Sequence, residues 1–260
     1  MTARLLTMSA LFILFGATAS MAHADDAVGI VADPCATEKT AGQLPEGQWG
    51  AYILTRDFGR LCQYRAKNTE LAKSGIPPRV VFMGDSITEF WDRQDPSFFT
   101  QGKVDRGISG QTTTQMLLRF RQDVIELKPQ AVHIMAGTND VAGNTGPSTL
   151  AQVEGNIASM AELAKAHGIR VILASIPPAS HFPWRAQLKP AATIDAINAW
   201  MKDYAERNGF TYVDYHSAMA DTEGGMKPGL AGDGVHPTRE GYRVMEPLAE
   251  AAIARALGAN

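Results

Sequence analysis

Short, mostly apolar runs alternate along this chain with longer stretches whose apolar residues recur every three or four positions. Runs at 80–83, 131–136 and 170–176 are rich in β-branched and apolar residues, and 104–108 and 210–213 are further short strand candidates. They predict five strands. Helical periodicity covers 49–72, 112–127, 149–167, 191–207 and 240–257. Thr112 with Gln115, and Thr149 with Gln152, have the spacing of a capping box, while Gly168 and Asn208-Gly209 supply helix exits. Strands that are continuously apolar, and separated by helices, predict a parallel sheet covered on both faces. The expected fold class is therefore α/β, a three-layer doubly wound parallel sheet. Right-handed crossovers carry the C-terminal ends of all its strands to one edge, where such sheets bind ligands.

Four polar clusters fall at that edge. Gly84-Asp85-Ser86-Ile87 follows the first strand, Gly107-Ile108-Ser109-Gly110 the second, and Gly137-Thr138-Asn139-Asp140 the third; Asp233-Gly234-Val235-His236-Pro237 precedes the last helix. Taken singly, each is ordinary turn or cap chemistry. Together they hold the parts of an acyl-transfer site. A serine hydroxyl becomes nucleophilic when a base removes its proton, and histidine suits that task near neutral pH. Asp233, three residues before His236, can orient the imidazole. The amides of Ser86 and Gly110 and the side chain of Asn139 can serve as donors to a developing oxyanion. The elbow of α/β-hydrolases is excluded, because Thr88 stands where its second glycine belongs.

The four blocks, in this order and spanning roughly residues 79–240, resemble those of the GDSL or SGNH hydrolases. In detail they resemble the branch of platelet-activating-factor acetylhydrolase-like and bacterial carbohydrate-esterase-like members. Ile87 departs from the leucine of the family's name. The resemblance implies a flavodoxin-like sandwich and ester hydrolysis with no metal or other cofactor. It assigns Ser86 as nucleophile, His236 as base, Asp233 as its orienter, and Ser86, Gly110 and Asn139 as the oxyanion hole.

Composition narrows the setting. The 260 residues, 45% hydrophobic and 20% charged, suit one domain with a substantial core. A net charge of −3 without basic runs argues against a nucleic-acid partner. Arg4, a mostly apolar stretch to Ala22 and Ala22-His23-Ala24 before two aspartates read as a signal peptide over 1–24, with an uncleaved anchor as the alternative. Cleavage leaves an arm and helix over 25–78 and a hydrolase domain over 79–260, periplasmic or secreted and without stable membrane insertion. Cys35 and Cys62 can pair in an oxidising compartment, stabilising by roughly 3 kcal/mol through loop closure, or remain free thiols. No metal is expected, since His133, His167, His181 and His216 lack ligand-spaced partners.

Asp85, Trp91, Trp184 and Arg185 are the candidate substrate-binding residues; aromatic faces with a nearby cation suit sugar rings. No long apolar groove is visible in the pattern. The expected substrate is therefore a small-acyl, acetyl-type ester of a carbohydrate or another small molecule. Lysophospholipid or aryl esters are the alternative within the same chemistry, and a non-catalytic carbohydrate-binding protein is the alternative outside it.

Overall fold

The computed structural model describes residues 34–37 and 43–258. The chain divides between residues 38 and 39. Before that point only a single 3-10 turn, Pro34–Thr37, is described, and the expected signal peptide lies outside the described residues. Neither cysteine is a free thiol. Among the described residues no helix is long and apolar enough to cross a membrane.

Five parallel strands make the sheet: β1 Val80–Gly84, β2 Lys103–Gly107, β3 Ala131–Met135, β4 Arg170–Ala174 and β5 Thr211–Val213. Their order, β2-β1-β3-β4-β5, is that of a flavodoxin-like doubly wound sheet. Successive side chains point to opposite faces, both covered, which is why β1 and most of β3 and β4 are apolar, whereas the edge strand β2 carries Lys103, Asp105 and Arg106. Val81, Met83, Val132, Ile134, Val171 and Leu173 face one core cluster. It is completed by helices α4 (Thr113–Asp123), α6 (Leu150–Ala166) and α7 (Ala191–Asn208). Val80, Phe82, Ala131, Met135, Ile172 and Ala174 face a second cluster, with α3 (Ser86–Gln94), α8 (Tyr215–Met219) and α9 (Arg239–Leu257). The Thr149 box forms as expected: the Gln152 amide donates to Thr149 Oγ1, and the Thr149 amide to Gln152 Oε1. His133 is buried, stacked on Phe82 with ring centroids 4.6 Å apart and bonded to the Tyr215 hydroxyl at 2.9 Å, which is a packing role.

The helix expected over 49–72 is two helices, α1 (Trp49–Arg56) and α2 (Arg65–Ser74). Asp57 breaks it by taking the amides of Leu61 and Cys62 onto its carboxylate, and Arg60 adopts a positive φ of 53°. The irregular segment between the helices is bound to the sheet domain. Gln111 and Gln115 donate to the carbonyls of Gly59 and Phe58, and the Tyr64 hydroxyl donates to Gly107 O. A short helix after β3, Thr138–Val141, is α5.

Arg119 is fully buried and paired at 3.0 Å with Asp123, which is equally buried. Removing one partner strands the other charge in the core. Asp123→Ala should therefore lower the unfolding free energy by about 3–5 kcal/mol in urea titration. Lys73→Ala, which breaks the exposed Lys73–Glu70 pair, should cost at most about 1 kcal/mol.

Candidate active site

The turn that carries Ser86 is built by three adjacent residues. A Cβ at Gly84 would lie 1.9 Å from Thr88 Oγ1, so glycine is what lets β1 pass directly into α3. Asp85 caps α3, accepting the Ile87 amide at 2.9 Å. Ser86 is the first helical residue, 8% exposed, and its amide is one that the helix leaves without an internal partner. The Tyr242 hydroxyl donates to Ile87 O at 2.7 Å and ties α9 to this turn.

The histidine arrives on the loop before α9. An antiparallel bridge between Ala231 and Pro237 pinches that loop closed. Inside it, Asp233 Oδ1 accepts the amides of Val235 (3.0 Å) and His236 (2.8 Å), and Oδ2 accepts from His236 Nδ1 at 2.7 Å. Burial pushes the Asp233 carboxyl up, but these donors outweigh it and hold it below the usual carboxylate range. With Nδ1 donating to the carboxylate, the Nε2 lone pair is left for Ser86 Oγ, 2.9 Å away. Gly234 has φ +85°, and a Cβ there would lie 2.7 Å from the His181 ring, so the 175–190 loop closes against this turn.

The candidate oxyanion donors Gly110 and Asn139 lie on two further loops. Glu89 Oε2 accepts the Ser109 amide at 2.7 Å and fixes the loop in which Gly110, exposed at φ +80°, follows. Asn139 Nδ2 lies 3.1 Å from Gln111 O and 3.3 Å from Asp85 Oδ2. Both of its N–H groups thus have acceptors, and the longer contact, to Asp85, is the one more readily redirected. Asn144, a residue the sequence did not single out, organises this corner. Its Nδ2 donates to Asn139 Oδ1 at 2.7 Å, and its Oδ1 accepts from Trp184 Nε1 at 3.1 Å. Asp140 ties the same loop to α4 through the amide and hydroxyl of Thr113.

The expected substrate contacts divide. Trp184 is 41% exposed with its ring centroid 6.0 Å from that of His236, and Arg185 is exposed on the same turn. Trp91 is fully buried, stacked on Phe98 and Tyr242, and belongs to the core. The aromatic beside the histidine is its neighbour Phe90, 5.2 Å from the ring. Residues i and i+4 share a helix face, so Ser86 predicts Phe90 at the site and Ile87 predicts Trp91 in the core. Asp85 is 1% exposed with its carboxylate engaged inside the protein, so it positions the site and offers no surface to substrate.

The doubly wound sheet, with Ser86, His236 and Asp233 hydrogen-bonded in series at its C-terminal edge, has the fold and side-chain set expected of an SGNH-type hydrolase. The profile of the GDSL-like lipase/acylhydrolase family matches residues 82–244, and the chain belongs to that family. The crystal structure of a GDSL-like lipase from Bacteroides thetaiotaomicron is 50% identical, with a TM-score of 0.74 over 77% of this chain and 100% of that one. An acetylxylan esterase of Geobacillus stearothermophilus is 28% identical over 205 residues, 66% of this chain and 92% of that protein. The uncharacterized lipoprotein YqeF of Bacillus subtilis is 37% identical over 117 residues, 38% of this chain; the match spans about half, 48%, of its length.

Burial pushes the Asp85 carboxyl up to about 6, against the pull of the Ile87 amide and the His236 ring. That lies above the unfolded value of about 3.9, so the unfolded chain loses this proton first. Ionised Asp85 therefore destabilises the fold above pH 6, by about 3 kcal/mol, and the penalty vanishes below pH 4. Asp85→Asn, which keeps the cap, should raise the Tm relative to wild type at pH 8, with the gain shrinking as pH falls through 6 to 4. An equal shift at both ends of that range would show that the carboxyl is not raised.

Proposed function

We propose that this chain is an exported serine esterase that hydrolyses carboxylic esters through an acyl-enzyme, with no metal in the chemistry. The observation that carries the reading is the relay from Ser86 Oγ through His236 Nε2 and Nδ1 to Asp233, with contacts of 2.9 and 2.7 Å. His236 takes the serine proton as Oγ attacks the ester carbonyl. The oxyanion forms against the Ser86 and Gly110 amides, with Asn139 turning a donor from Asp85. His236 then gives the proton to the leaving alkoxide, and the alcohol departs. Water, deprotonated by the same nitrogen, attacks the acyl-serine and releases the acid.

The alcohol half must sit where His236 can protonate it, beside Phe90 and Trp184. Two aromatic faces with Arg185 nearby suit a sugar ring, and an acetylxylan esterase is among the relatives. Acetyl-type esters of carbohydrates are therefore the substrate class we favour. Export rests on the signal-peptide pattern of residues 1–24, and the Bacillus relative is a lipoprotein. The same aromatic pair also accepts a phenyl ring, which keeps aryl esters as the second reading.

Ser86→Ala should abolish turnover of p-nitrophenyl acetate, by about 10⁴-fold or more, and also abolish labelling by a fluorophosphonate. A folded variant that retains either property overturns the assignment, and wild type that resists the label would be a binding protein. Acetate release from acetylated xylo-oligosaccharides, faster than acid release from lysophospholipids or phenyl acetate, supports the carbohydrate class; the reverse order replaces it.

A further inference from the structure

We infer that Trp184 does more than hold the alcohol: through Asn144 it orients and polarises the side-chain amide of Asn139, so that one indole serves both the leaving group and the oxyanion. The inference rests on the serine-esterase reading and makes Asn144 a positioning residue within it. Trp184 Nε1 donates to Asn144 Oδ1 at 3.1 Å, and Asn144 Nδ2 donates to Asn139 Oδ1 at 2.7 Å. Three side chains on two separate loops are thus joined end to end.

The direction of this chain is fixed at its first link. An indole N–H donates and never accepts, so the Asn144 atom facing it is the carbonyl oxygen. The Asn144 nitrogen is thereby turned toward Asn139, whose oxygen must accept from it. The Asn139 nitrogen then faces the other way, 3.1 Å from Gln111 O and 3.3 Å from Asp85 Oδ2. Both of those atoms are acceptors, so the two ends of the chain demand the same orientation. Reversed, Asn139 would set its oxygen against the developing negative charge. A hydrogen bond accepted by an amide oxygen also makes the N–H groups of that amide stronger donors, and the gain passes along the chain. In the esterase reading, Asn139 therefore offers the oxyanion a donor already polarised from two side chains away.

Trp184 is the exposed end of the chain. Asn139 is buried and Asn144 half-buried, whereas Trp184 is 41% exposed. Its ring stacks on the buried Phe182, with centroids 5.2 Å apart, and lies 6.0 Å from the ring of His236. Neither contact needs an indole, since a phenyl ring stacks on Phe182 and presents an aromatic face to an alcohol equally well. What the indole adds is its N–H, and that group is committed to Asn144.

The test separates the indole N–H from the ring. Trp184→Phe keeps an aromatic face beside His236 and removes the donor, and circular dichroism checks that each variant is folded. Trifluoroacetone, whose carbonyl adds a serine oxygen to form a tetrahedral oxyanion, has no alcohol group. Its inhibition constant therefore reports the oxyanion site without the leaving group. In the full chain, Trp184→Phe and Asn144→Ala should each raise that constant about tenfold and lower kcat/KM for p-nitrophenyl acetate to a similar extent. In the Asn144→Ala background, adding Trp184→Phe should change the constant by less than about twofold, because the link it breaks is already gone. An inhibition constant unmoved by Trp184→Phe in active enzyme, or effects that multiply in the double variant, overturns the coupling and leaves Trp184 as an alcohol contact, with the esterase intact. No turnover of any ester by wild type overturns the esterase reading and the coupling with it.

Discussion

One buried cation holds the C-terminal edge of the sheet together. The Arg119 guanidinium, on α4, donates from Nη2 to Gly84 O at 3.0 Å and from Nε to Gln111 Oε1 at 2.6 Å. It is neutralised by Asp123 at 3.0 Å, which in turn takes a hydrogen bond from Asn68. The end of β1, the loop after β2 and α2 are thereby bound to one charge. Gln111 O accepts from Asn139, so the third loop joins the same network. A buried ion of this kind is costly unless it is paired and hydrogen-bonded, and here each guanidinium nitrogen has an acceptor. That requirement leaves little freedom in where the loops can sit, which is what a site held to fractions of an ångström needs.

The rest of the site adds local geometry to that frame. Asp233 and His236 are three residues apart in a pinched loop, so the second half of the relay forms without help from distant elements. The long-range step is bringing His236 to Ser86, 150 positions away in sequence, and the Tyr242–Ile87 contact fastens α9 to α3 beside it. Asp85 pays for the arrangement: its carboxyl is buried and pushed up to about 6, a cost in stability held at the site.

The sheet, its order of burial and the four polar blocks were legible because they depend on local pattern. Continuous apolar runs report strands covered on both faces, and glycine with polar residues after each reports the turns. Other features depend on contacts that no local pattern encodes. The break at 57–64 follows from Asp57 capturing two amides and from Tyr64 reaching Gly107, a bond across 43 residues. Asn144 looks like an ordinary turn residue until Asn139 and Trp184 meet around it. Trp91, expected at the substrate, packs in the core, because a helix sends it to a different face from its neighbour Phe90.

The central claim is that Ser86 and His236 act on one ester carbonyl between them. Rapid acid quenching during turnover of an acetyl ester, followed by peptide mass mapping, tests it most directly. The account predicts a transient acetyl group on the peptide that carries Ser86, accumulating further in an Asp233→Asn variant if deacylation slows more than acylation. An acetyl group on any other side chain, or hydrolysis with no covalent intermediate under conditions that trap one, would contradict it.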